Sequence, residues 1–215
     1  MQTMNRMFFA LAALSIVATG CDDPAKGKAK ATTTEAVGSA AAPVTAASAT
    51  TADYKFDNNG SKITWTGSKV TGKHDGGFGD FKGTVHLVDG APEKSSVKVE
   101  IDAASINSDQ EKLTGHLKSP DFFDVAKFTK VDFTSTEVKK GGEKGATHTI
   151  TGNLSLHGVT KAITFPATIK VEGDQVSVES EFAVNRKDFG INYPGKQDDL
   201  IRDDVLVKLS VHAKK

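Results

Sequence analysis

The chain has 215 residues, with 27 Lys and Arg against 27 Asp and Glu, so its formal net charge at neutral pH is zero. Without a basic excess it lacks the electrostatic footprint of a nucleic-acid binder, and its single Cys can form neither an internal disulfide nor a Cys-based zinc site. Length alone permits one or two domains.

Residues 1–20 place Arg6 ahead of an apolar run from Phe8 to Ala18, the layout of a secretory signal peptide and too short to span a bilayer. The run ends in Val17-Ala18-Thr19-Gly20-Cys21, and small residues directly before a Cys resemble the lipobox of bacterial lipoproteins. That resemblance implies that Cys21 is lipidated, becomes the mature N-terminus and anchors the chain to a membrane. Asp22 after the Cys resembles an inner-membrane retention signal of enterobacterial lipoproteins. The rule varies between bacteria, so inner and outer membrane both stay open. Residues 22–51 contain 18 Ala, Ser or Thr and no Phe, Leu, Ile, Met, Tyr or Trp. Such a stretch buries too little apolar surface to offset its ordering entropy, and a disordered tether is predicted over 21–52.

From residue 53 to 215 the hydropathy alternates with period two. Ile63-Trp65-Gly67, Phe81 to Leu87, Val97 to Ala103 and Val131-Phe133 follow this pattern. So do Ile150 to Leu156, Ile163 to Val171, Val176 to Val184 and Val205 to Ala213. Strict alternation puts one face in a core and the other in water, as in antiparallel sheets. Reversals are expected at Asn58-Asn59-Gly60, Asp89-Gly90, Lys140-Gly141-Gly142 and Glu172-Gly173-Asp174. About eight strands in one domain are compatible with a closed barrel or a sandwich. One segment departs from the alternation. Ser108-Asp109-Gln110-Glu111 reads as a capping box, Leu113, His116 and Leu117 share a helical face, and Pro120 stops the helix. A short helix near residues 108–119 is predicted, either a connector or a lid over an opening.

Sequence motifs for chemistry are sparse. Gly76 to Gly83 contains four glycines, but a strand follows rather than a helix, so they are assigned to bulges or bends and not to phosphate binding. The six His residues show no metal-ligand spacing, and no nucleophile elbow is present. No cofactor or metal is expected. The domain's ten Phe, one Trp and two Tyr make an apolar ligand the function that this composition suits best.

Four blocks carry a family resemblance: Trp65 to His74 with Gly77-Phe78, His116 to Asp124, Gly152 to Lys161, and Asn185 to Ile191 followed by Asp203-Asp204-Val205. In this order they resemble the YceI-like family of lipid- or polyisoprenoid-binding periplasmic proteins. The resemblance implies an elongated, lipocalin-like antiparallel β-barrel holding an isoprenoid-type or other long amphiphilic lipid, a carrier or store rather than an enzyme, in the bacterial envelope. It supplies no catalytic residues and offers a homodimer as an option. The candidate lining is Trp65, Phe78, Phe81, Phe122, Phe133, Phe182 and Phe189, with Lys73, His74, His116 and Arg186 at a polar head. Two other readings stay open: an envelope stress or interaction module without lipid cargo, and an enzyme acting on such a lipid.

Overall fold

The computed structural model describes residues 23–38 and 49–215; the expected signal peptide and Cys21 lie outside the described residues. Its strands are β1 (Ala29–Lys30), β2 (Thr32–Glu35), β3 (Thr51–Asp57), β4 (Lys62–Lys69), β5 (Gly72–Phe78), β6 (Phe81–Val88), β7 (Ala91–Asp102) and β8 (Ile106–Ser108). Helix α1 (Glu111–Leu117) follows, then β9 (Lys130–Lys140), β10 (His148–Leu156), β11 (Val159–Glu172), β12 (Gln175–Asn185), β13 (Gly195–Lys196), β14 (Asp199–Leu200) and β15 (Asp204–Lys214).

Eight of these close into an antiparallel barrel in the order β3, β6, β7, β9, β10, β11, β12, β15, with β15 returning to β3. The alternating runs supply its staves. Ile163 and Phe165 of β11 and Phe182 and Val184 of β12 point inward to the same packed cluster. Tight reversals occur at Asp89-Gly90 and Gly173, all at positive φ. His157 (φ 53°) and Gly158 (φ 75°) make another, between β10 and β11.

The Asn58-Asn59-Gly60 segment does not reverse the chain. Strands β3 and β4 both run antiparallel to β15, so the chain kinks there and continues in the same direction. Asp57 accepts the Asn59 amide at 2.9 Å, and buried Ser61 accepts the His212 amide at 3.0 Å, which ties the kink to β15. Beyond the kink β4 extends with β5 and β8 into a flap at one end of the barrel.

Helix α1 is shorter than the predicted span, and the capping box does not form. Ser108 is the last residue of β8, opposite Gly76, and its hydroxyl accepts the Gln110 amide at 3.2 Å and meets Thr114 at 3.2 Å. The strand pairing holds Ser108 too far back to cap; Gln110 occupies the cap position without a side-chain bond.

The N-terminal segment corrects the tether expectation for residues 29–35. Strands β11 and β12 pair only near their turn, from Thr168 with Glu179 to Glu172 with Gln175. Farther along they diverge, and the segment fills the wedge: β1 lies parallel to β12, and β2 lies antiparallel to β11. Ala31 donates its amide to Ala183 O at 2.9 Å, and the Asn153 side chain clasps both backbone groups of Val37 at 3.0 and 2.6 Å. Lys28 pairs with Glu181 at 2.7 Å and Lys161 with Glu35 at 2.5 Å. The segment's own side chains offer little apolar area to bury. Here unpaired strand edges at the wedge need backbone partners, and small Ala and Thr residues provide them without needing a core of their own.

Candidate functional site

The barrel interior encloses a cavity of about 770 Å3 whose lining is overwhelmingly apolar. A barrel of eight strands is just wide enough to hold one small ligand, and this volume lies in the usual range of ligand pockets. The inner part is walled by Phe133, Val138, Ile150, Phe165, Phe182 and Val184. Phe165 and Phe182 stack with centroids 4.3 Å apart and rings 14° from parallel, and Phe133 leans on Phe165 at 5.8 Å. These rings come from β9, β11 and β12, each at an inward position of the alternation.

Gly76 and Gly83, like Gly152 beside Phe133, are inward positions occupied by glycine to admit a ring. A Cβ on Gly76 would fall 2.3 Å from Trp65 Cζ2 and 2.2 Å from Asn107 O, and a Cβ on Gly83 would fall 2.1 Å from Phe56 Cζ. Neither residue has positive φ and neither lies at a bulge, so the predicted bends are not their reason. They create space for aromatic side chains on the neighbouring strand.

Charged lining residues gather at the flap end, which forms the mouth. Lys69 and His74 come from β4 and β5, Lys112 and His116 from α1, and Lys196 and Asp199 from β13 and β14. His116 Nε2 meets Asp121 Oδ2 at 2.8 Å and its ring packs edge-on to Phe122 and Tyr193, both at 5.0 Å. His74 Nδ1 meets Asp109 Oδ1 at 3.0 Å. Asp199 accepts from Lys69 Nζ and from the Thr71 amide and hydroxyl. These donors, Lys69 first, hold the Asp199 carboxyl below its ordinary value. Trp65 Nε1 is buried on the lining without a protein acceptor.

Eight predicted site residues line this cavity: Trp65, His74, Phe78, His116, Phe122, Phe133, Phe182 and Arg186. Three do not. Lys73 points to solvent, 3.9 Å from Asp75, because it neighbours inward His74 on a strand. Phe81 and Phe189 are 3% and 0% exposed and are packed within hydrophobic clusters off the lining. Arg186, although on the lining, spends its donors on structure. It donates to Ile191 O at 2.6 Å, Arg202 O at 3.2 Å and Ile201 O at 3.5 Å, and pairs with Asp203 at 3.3 Å. Burial pushes its guanidinium down from the ordinary value while Asp203 pushes it up. Sequence reasoning missed Phe56, Phe165 and Tyr193 as lining. Phe165 sat in a recognised alternation beside Ile163; Tyr193 is in a loop without periodicity. Among the described residues no group of three or more His, Cys, Asp or Glu could hold a metal ion.

The YceI-like domain family matches residues 54–213. A UPF0312 protein of Pseudomonas fluorescens is 38% identical over 163 residues, covering 72% of this chain and 84% of its own. Another, from Pseudomonas putida strain W619, is 35% identical over 174 residues, covering 77% and 90%. Among solved structures, Burkholderia cenocepacia BcnA superposes with a TM-score of 0.65 at 20% identity, over 74% of this chain and 99% of that one. A polyisoprenoid-binding domain from Saccharophagus degradans, implicated in plant cell wall breakdown, gives 0.58 at 15% identity, over 75% and 97%. The closed eight-stranded barrel and the match across nearly all of it place this chain in the YceI-like domain family.

Proposed function

We propose that the protein binds, carries or stores an isoprenoid-type or similar long amphiphilic lipid, without chemistry on it and without a cofactor. The observation that carries this is the apolar cavity of about 770 Å3, walled by aromatic rings and ending in a polar mouth. An apolar tail leaving water for it gains roughly 0.8 kcal/mol per CH2 buried. Trp65 Nε1, buried without a partner, would donate to an oxygen of the cargo, while Lys69, His74 and His116 border its head. The Saccharophagus domain named for polyisoprenoid binding supports the cargo class by analogy of fold. The proposal places the protein in the bacterial envelope, held by acylated Cys21 and facing the periplasm.

Native mass spectrometry of the protein from its own host tests this. One reproducible lipid, released on denaturation and extractable, is expected, and the same spectrum reads whether the protein is a dimer. A protein that is always empty, and whose Trp65 emission is unchanged across isoprenoid and quinone titrations, would sink the carrier reading. Turnover of the extracted lipid would move it to an enzyme.

A further inference from the structure

Asp23, the first described residue, is not free to wander. Its carboxylate lies 3.6 Å from Arg202 Nη1, and the chain turns immediately, with Lys26 N donating to Asp23 O at 3.0 Å and Lys28 N to Ala25 O at 3.1 Å. From there it enters the β11–β12 wedge. Only two peptide links separate Cys21 from Asp23, so covalent geometry keeps their Cα atoms within about 7 Å. Asp23, two residues from the expected anchor, is thus held on the barrel surface.

Arg202 lies at the mouth. Its amide donates to Ser68 O at 2.8 Å, and its neighbour Ile201 bridges to Lys69; Ile201, Ser68 and Lys69 all line the cavity. On the same rim, Val70 and Leu200 are 57% and 50% exposed and joined by a bond from Val70 N to Leu200 O at 3.2 Å. The ionic groups of this rim are of both signs, with Lys69, Lys112, Lys196 and Arg202 beside Asp23, Asp199 and the exposed chain neighbours Glu111 and Asp198, so it has no strong net charge. Its adhesive part is an apolar pair, at the end where Asp23 holds to Arg202.

We propose that the docked N-terminal segment works as a rigid strap holding the barrel mouth-down on the bilayer, with Val70 and Leu200 inserted among the headgroups. This rests on the reading that Cys21 is acylated. The partner is a lipid surface. A mouth pressed against it lets a tail pass between bilayer and cavity without crossing water. The balanced rim charge means that the anchor, and not attraction to anionic lipid, supplies the residence time.

The test uses the full acylated protein in vesicles of phosphatidylethanolamine and phosphatidylglycerol. A polarity-sensitive fluorophore is placed at Leu200→Cys on the rim or at exposed Glu172→Cys at the opposite end. The rim label should shift to the blue and lose at least half its emission to a nitroxide-bearing lipid, while the label at 172 changes little. Equal quenching at both ends, or none at the rim of a protein whose intact mass includes the acyl chains, overturns the strap and leaves the anchor standing. A mature mass without acyl chains removes anchor and strap together. A blue-shifted rim label insensitive to the lipid quencher, in a protein running as a dimer, would assign the rim to a second copy and also overturn the proposal. Ala29→Asp with Ala31→Asp should undock the strap and reduce rim quenching at unchanged acylation; quenching that persists counts against it.

Discussion

Trp65 and Gly76 face one another across β4 and β5, and the indole occupies the space that a side chain at 76 would need. The pair is thus one packing unit, with the ring forming cavity wall because its neighbour has no Cβ. Gly76→Ala should displace the ring or part β5 from β8, at a cost of about 1–3 kcal/mol for overpacking. A lower urea midpoint together with a shifted Trp65 emission maximum is expected; an unchanged spectrum would show that the ring does not rest there.

Phe182 tests the cavity as a container. Removing its ring by Phe182→Ala should cost about 3–5 kcal/mol in lipid-free protein, since the stack with Phe165 is lost and the void grows. In lipid-loaded protein the loss should be smaller, because the cargo can occupy part of the new space. Paired thermal melts, with and without cargo, read the difference directly.

Arg186 is a structural clamp, and its replacement should show in stability before it shows in binding. Arg186→Leu leaves the carbonyls of Ile191, Ile201 and Arg202 short of a donor and Asp203 without one cation. The expected loss is about 3–5 kcal/mol. Arg186→Lys should recover little, because one ammonium cannot replace a planar fork reaching several acceptors. Denaturant unfolding and hydrogen exchange across residues 190–203 check this.

The latch of Asp199 on Lys69 and Thr71 should loosen in acid. Because the folded carboxyl titrates below its unfolded value of about 4, the latch contributes stability above that value and loses it as pH falls through the lower folded value. Exchange at the Thr71 amide should rise only in that acid window, and Asp199→Asn should abolish the pH dependence there. Protection flat from neutral pH down to strong acid would contradict this.

Asn153→Ala removes both bonds that clasp Val37. Faster proteolysis within residues 32–38, with the barrel's melting unchanged, is the expected result. Simultaneous loss of barrel stability would show that the segment is part of the core cooperative unit.

Period-two alternation made the staves legible, because a barrel wall must send every second residue inward, as Ile163, Phe165 and Ala167 do. Phe133 and Phe182 of the cavity wall were readable for the same reason, whereas Phe165 was missed although it lies in the same alternation. What escaped depends on pairing at a distance. Asn58-Asn59-Gly60 has turn-forming residues yet continues along β15, a choice made by a strand 150 residues later. Ser108 has a capping sequence, but its pairing with Gly76 takes precedence. Lys73 and His74 are equal as motif letters and differ by one step of a pleat. The Ala- and Thr-rich segment resembles a linker because nothing in its own composition reveals the wedge that receives it.

That wedge also imposes an order of assembly. Lys28 meets Glu181 across 153 residues of chain, so the earliest of the described residues to be synthesised have no seat until β11 and β12 exist. Contacts of such long range form slowly and late. The stretch therefore depends on β11 and β12 for its partners, and a product truncated before Gln175 would leave it without β12 to pair with.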